Sequence, residues 1–324
     1  MTARLTLSNP DRITPFWFGP EDSQMLGWYH APHGTGARTA VLLCPPFGHE
    51  YLVSYRAYRK LAETLAQAGI PCLFFDYDGT GDSAESDLPR VQAWRESIFS
   101  AANALRKISG LSSVTLFGVR LGALLAASMV EAVSASALVM LAPVVSGRAF
   151  VREQQGFARM SPLAVSDESR QKLTDEEVVG YVFTKVTQQD LGALDLMNMD
   201  CKVPVLIIDR DDMPGQVNKL LSAWQTSGCD VMKLNTLGYA AMMTQDAHSS
   251  NVPVAVWREI RDWLQSRPWP PLKPEPSVLA LPASMRAGQR YVEEVICFNG
   301  LAGVITTPSG KLPRKTGVVL TNIG

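Results

Sequence analysis

Residues 114–126 read VTLFGVRLGALLA: a short apolar run at 114–117, then Gly118-Val119-Arg120-Leu121-Gly122, then Ala123-Leu124-Leu125-Ala126. A short, mostly apolar run stopped by a glycine reads as a buried strand, and the small apolar residues after Gly122 as a buried helix. Working outward, the same alternation recurs on both sides. Upstream, 16–18 and 25–31 predict a hairpin, 40–44 and 71–76 predict strands, and 55–68 and 91–108 predict helices. Downstream, 137–141, 203–208 and 230–234 predict strands, with helices at 216–224 and 254–265. Residues 147–200 are polar and helix-like with no strand in view, which suggests an insertion at the ligand-binding edge, a lid. Apolar strands alternating with helices imply right-handed crossovers, so the expected fold is α/β, a mostly parallel, doubly wound sheet.

Composition excludes several classes. The chain has 324 residues, 46% hydrophobic and 19% charged, with a formal net charge of −1. That balance rules out a disordered chain and leaves no basic footprint for nucleic acid or an anionic membrane surface. Five scattered cysteines without CxxC spacing make neither a disulfide framework nor a zinc site. The N-terminus has no apolar signal region, and the apolar stretch 122–145 is broken by Glu131, serines and Pro143. The expectation is a cytoplasmic protein without a membrane segment.

In open α/β sheets, ligands bind beyond the C-terminal ends of the strands. Those positions carry Pro45-Pro46-Phe47-Gly48-His49-Glu50, then Asp76-Tyr77-Asp78-Gly79-Thr80-Gly81-Asp82-Ser83, Gly118-Val119-Arg120-Leu121-Gly122, Asp209-Arg210-Asp211-Asp212 and Gly238-Tyr239, with His248 ten residues beyond Gly238. In this order the motifs resemble an α/β-hydrolase over residues 15–266, close to the serine-aminopeptidase-like branch and to hydrolases that accompany biosynthetic or export gene clusters. The resemblance places Gly118-x-x-x-Gly122 at the nucleophile elbow, His248 at the triad base and Asp212, or next Asp211, at the triad acid. It implies an oxyanion loop of Phe47, Gly48 and His49 with the amide of Leu121. It also implies a hydrolase or acyltransferase system acting on an ester, thioester or amide.

The elbow residue is Arg120, where the family pattern has serine. A guanidinium is protonated at physiological pH and cannot attack a carbonyl. A cation above a helix N-terminus also needs a compensating anion, for which Asp212 or a bound carboxylate or phosphate are the candidates. The expectation is weak or absent classical serine catalysis; the alternative is a catalytically silent binding or scaffold domain holding an anionic ligand or a partner hydrolase unit through Arg120. Cys44 and Ser83 are weaker nucleophile candidates, one a packing cysteine and one a turn serine. Arg148 and Arg152, four apart, would share one helix face and could join Arg120 in an anion pocket, or make lid salt bridges with Glu153.

No metal or cofactor is expected. The Asp76–Asp82 turn lacks the glutamate of an EF-hand loop, His30 and His33 have no third ligand nearby, and no dinucleotide or Walker-type glycine motif occurs. The expected partners are a small-molecule acyl or carboxylate ligand and a second hydrolase domain or homo-oligomer. Residues 267–289, with PWPPLKPEP at 268–276, read as a proline-rich linker, and 290–324 as a partial β-hairpin. The tail repeats the pattern of 26–48: a glycine-started strand, a Pro/Gly turn, a basic spacer and an apolar strand ending at glycine. Two readings of it stand, the start of a second hydrolase unit or an ordinary hairpin packed on the first domain.

Overall fold

The computed structural model describes residues 13–20, 23–160, 177–178, 180–243, 247–269, 284–287, 291–298 and 301–308. Its centre is an eight-stranded sheet of β1 (Ile13–Phe18), β2 (Met25–His30), β3 (Ala40–Cys44), β4 (Cys72–Phe75), β5 (Val114–Val119), β6 (Ala137–Leu141), β9 (Val205–Ile208) and β10 (Val231–Leu234). The strand order is β1-β2-β4-β3-β5-β6-β9-β10. The β1–β2 hairpin runs antiparallel onto β4, and every pairing from β4 to β10 is parallel. The fold is α/β, a mostly parallel sheet covered by helices on both faces, as the alternation of elements implies.

Period-two alternation explains why these strands read as unbroken apolar runs. Leu42, Leu116, Met140 and Ile207 enter the core on one face; Val41, Leu43, Phe117, Val139 and Leu206 enter the core on the other. Helices α1 (His49–Gln67) and α8 (Val254–Ser266) cover the second face through Tyr58, Leu61, Trp257 and Ile260. Helices α2 (Arg90–Ser109), α3 (Leu121–Ser128) and α6 (Asn218–Thr226) cover the first through Trp94, Ile98, Leu124 and Trp224.

Three sequence expectations need correction. Helix α1 starts at His49, not near 55, because Gly48 takes a left-handed φ of 62° and turns the chain straight from the loop after β3 into the helix. The 147–200 insertion contains a two-stranded ribbon, β7 (Glu177–Val178) and β8 (Tyr181–Val182), between helices α4 (Gly147–Met160) and α5 (Lys185–Gly192). Two-residue strands carry too little pattern to be visible in sequence. The third correction lies in the expected linker, where β11 (Ser284–Ala287) joins β12 (Tyr291–Phe298) and β13 (Leu301–Pro308) in a separate antiparallel sheet. Residues 270–283 and 309–324, including the second apolar strand of the expected repeat, lie outside the described residues. A four-residue helix, α7 (Tyr239–Met242), follows β10. Among the described residues no helix is long and apolar enough to cross a membrane.

Candidate functional site

The elbow is built as the glycine spacing demands. Arg120 sits between β5 and α3 with φ 52° and ψ −118°, a strained conformation for a residue with a side chain. Its amide donates to Leu141 O at 3.1 Å, and its carbonyl accepts from Ala123 N at 3.1 Å. The turn is tight enough that a Cβ on Gly118 would stand 2.4 Å from Ala123 N, and one on Gly122 2.3 Å from Cys44 O. Both glycines are therefore steric requirements of the turn.

The tertiary structure supplies the charge partners of Arg120. Its guanidinium is buried, with 4% of the side chain exposed. Nε donates to Glu50 Oε1 at 2.8 Å and Nη2 donates to Glu153 Oε2 at 2.5 Å. Glu50 lies in the first turn of α1, and Glu153 on α4. Phe150, also on α4, places its ring centroid 6.0 Å from the guanidinium carbon. Burial opposes the charge on Arg120, but Glu50 and Glu153 more than reverse that effect and hold its pKa above the ordinary value. Burial pushes the Glu50 carboxyl up, and Arg120 offsets this in part. The second oxygen of Glu50, Oε2, is buried with no hydrogen-bond partner.

The expected compensating anion, Asp212, is elsewhere. Both of its oxygens accept from Arg210, at 2.7 Å each, and this pairing lowers its pKa. Asp211 accepts from Gly238 N and Ala240 N, also at 2.7 Å, and so fixes the backbone on either side of Tyr239. Tyr239, the first residue of α7, is buried, and burial raises its phenol pKa against the opposing charge of Arg120; Arg210 covers its ring at 5.4 Å. His248, the expected base, is exposed in the turn at 247–249. It precedes Ser250, whose hydroxyl donates to Val53 O and Met242 O. Asp212 therefore pairs with Arg210, and the charge of Arg120 acts on the buried Tyr239.

The expected anion pocket is likewise rearranged. Arg148 and Arg152 are exposed on α4, and Arg148 Nε donates to Gly192 O. Glu153, offered as their lid partner, pairs with Arg120 instead. Glu50, Glu153 and Tyr239 are the residues that local reasoning missed as elbow neighbours. The one available signal was their position: Glu50 follows the oxyanion loop, and Tyr239 follows Gly238 at a strand end.

Beside the elbow lies a cavity of about 310 Å³, walled by Phe47, Gly48, Tyr51, Trp94, Leu121 and Tyr181 among others. Phe47 anchors it, with its ring 5.5 Å from Trp94 and 5.8 Å from Tyr181. The loop residue His49 faces Phe157 of α4 at 5.9 Å. The expected oxyanion-loop residues Phe47 and Gly48 thus meet Leu121 at one cavity, beside Tyr181 of the β7–β8 ribbon. Cys44 is buried and its thiol pKa is pushed far up by burial, which removes it as a nucleophile. Ser83 is committed to the turn: it donates to Asp76 O and accepts from Leu26 N.

The sheet order is that of the α/β hydrolases, and this chain has that fold. Residues 37–174 match the family model described as serine aminopeptidase, S33. Among solved structures, the chain is 14% identical to the esterase Pf2001 of Pyrococcus furiosus, covering 82% of this chain and 95% of that one, with a TM-score of 0.56. It is 17% identical to Est1E from Butyrivibrio proteoclasticus, solved with ferulic acid bound, over 77% and 97% of the two chains at a TM-score of 0.54. It is 19% identical to DcsB, solved with a substrate analogue, over 78% and 99% at 0.53. No curated protein matches the sequence.

Proposed function

We propose that this chain serves a hydrolase or acyltransferase system by holding an ester, thioester or amide ligand in the cavity beside the oxyanion loop, and that its elbow performs no serine-type acyl transfer. The observation that carries this reading is Arg120: an intact elbow backbone presents a protonated guanidinium already engaged by Glu50 and Glu153. Such a group can neither lose a proton at neutral pH nor attack a carbonyl. Tyr239, with its phenol pKa raised by burial, is no base at that pH. The ligand class draws on the cavity's aromatic wall and on the solved relatives, which include an esterase and a protein holding ferulic acid. The scattered free thiols suit a reducing compartment such as the cytoplasm.

The test uses a fluorophosphonate probe and methyl 4-phenylbutyrate. The wild-type chain binds the ester by calorimetry, returns it unhydrolysed, and takes no covalent label. Robust labelling or ester cleavage that disappears in His248→Ala would overturn the reading.

A second reading, a scaffold for a partner hydrolase unit, is favoured by the β12–β13 hairpin, which repeats the antiparallel arrangement of β1–β2 at the other end of the chain.

A further inference from the structure

The two carboxylates on Arg120 are not equivalent. Glu50 has 19% of its side chain exposed and belongs to the core helix α1; Glu153 has 47% exposed and belongs to α4. If both leave the guanidinium, a buried cation is stranded. If only Glu153 leaves, it regains solvent while the inner pair with Glu50 persists, so Glu153 is the replaceable partner. The cavity wall is built from chain neighbours of this ion pair: Gly48 and Tyr51 lie two residues before and one after Glu50, and Leu121 follows Arg120. Among the described residues lining that cavity there is no carboxylate, amine or guanidinium, so it suits an uncharged body.

We infer that Arg120 is the carboxylate-binding end of a site for amphipathic organic acids, kept shut by Glu153 as an internal stand-in for the ligand's own carboxylate. The inference rests on the binding role proposed above and names the ligand class. An aryl or alkyl acid places its apolar body against Phe47, Trp94 and Tyr181, and its carboxylate takes the Nη2 position that Glu153 vacates. The exchange conserves charge: one carboxylate leaves the guanidinium as another arrives. Because Glu153 is on α4, the same exchange unpins that helix from the elbow, and ligand binding is coupled to lid release.

Calorimetry with 4-phenylbutyrate and its neutral isostere 4-phenylbutanamide tests this in the full chain. Glu153→Gln is expected to tighten binding of the acid by about five- to tenfold, because a competing charge is removed, and to leave the amide unchanged. The double variant Arg120→Gln/Glu50→Gln removes the inner pair without stranding either charge, and is expected to lose the preference for acid over amide. In the wild type, the acid but not the amide should accelerate hydrogen exchange in α4. Acid affinity that is unchanged or weaker in Glu153→Gln, or equal tightening of both compounds, overturns the inference while amide binding still supports the proposed role. Failure of both compounds to bind any of these proteins overturns the role and the inference together.

Discussion

Arg120 carries two costs at once, a left-handed backbone and a buried positive charge, and the structure offsets the second through Glu50 and Glu153. Removing a single member of a buried ion pair leaves the other uncompensated, at about 3–5 kcal/mol. Arg120→Ala is therefore expected to lower stability by that order in urea titrations at pH 7. The cost should shrink as pH falls, because Glu50, whose carboxyl burial already pushes up, protonates in the variant. The sign follows from linkage: a carboxyl with a raised folded-state pKa contributes stability below its unfolded pKa and loses it as pH rises through the folded one. A variant whose stability loss is independent of pH would contradict the pairing. None of this was legible from the elbow motif. That motif located Arg120 exactly at its turn, because glycine spacing is a local steric property. Its partners are 70 and 33 residues away in the chain, and only the packing of α1 and α4 brings them in.

At the scale of elements, helix α4 is docked closely on α5. A Cβ on Gly147, its first residue, would stand 1.8 Å from Leu191 O of α5, and Gln155 Nε2 donates to Gln188 Oε1 of the same helix at 2.8 Å. Gly147→Ala must push the two helices apart. A destabilisation of about 1–3 kcal/mol is expected from such overpacking, together with faster hydrogen exchange across α4 and α5. An alanine variant as stable as wild type, with unchanged exchange, would show that the contact between the helices is not required. The sequence signalled this region as an insertion because its composition changes at 147. It did not signal the ribbon β7–β8, since strands of two residues are set by their neighbours. For the same reason the start of α1 was missed: residues 49–54 show weak periodicity, and the helix begins there because Gly48 aims the chain.

Across the whole molecule, two buried ionisable groups set opposing pH dependences. Asp76, at the end of β4, accepts from the Tyr51 hydroxyl and from Asp82 N, and burial raises its pKa to about 6. His30, at the end of β2, is lowered to about 4, mainly by burial. Asp76 thus contributes stability that is present near pH 4 and is lost as pH rises through 6. His30 contributes stability that is present above its unfolded value near 6.5 and is lost as pH falls towards 4. The two nearly cancel in the wild type, so variants are needed to separate them. Compared with Asp76→Asn, the wild type is expected to gain roughly 3 kcal/mol on going from pH 7 to pH 4, read as the pH dependence of the difference in urea midpoints. A difference that stays flat across that range would refute the assignment.

The alternation of strands and helices, the strand-to-helix turn at Gly118–Gly122 and the arginine in place of a serine within it were determined by the sequence alone. Each depends on local properties: alternation of apolar residues, glycine at a turn, and the fixed charge of a guanidinium. What that charge faces was decided only by the tertiary structure. Asp212, close in motif order, is taken by Arg210, while Glu50 reaches Arg120 from α1, packed on the sheet, and Glu153 from α4, packed on α5. An ion pair forms where burial and geometry converge, and the one-dimensional order of residues does not contain that distance.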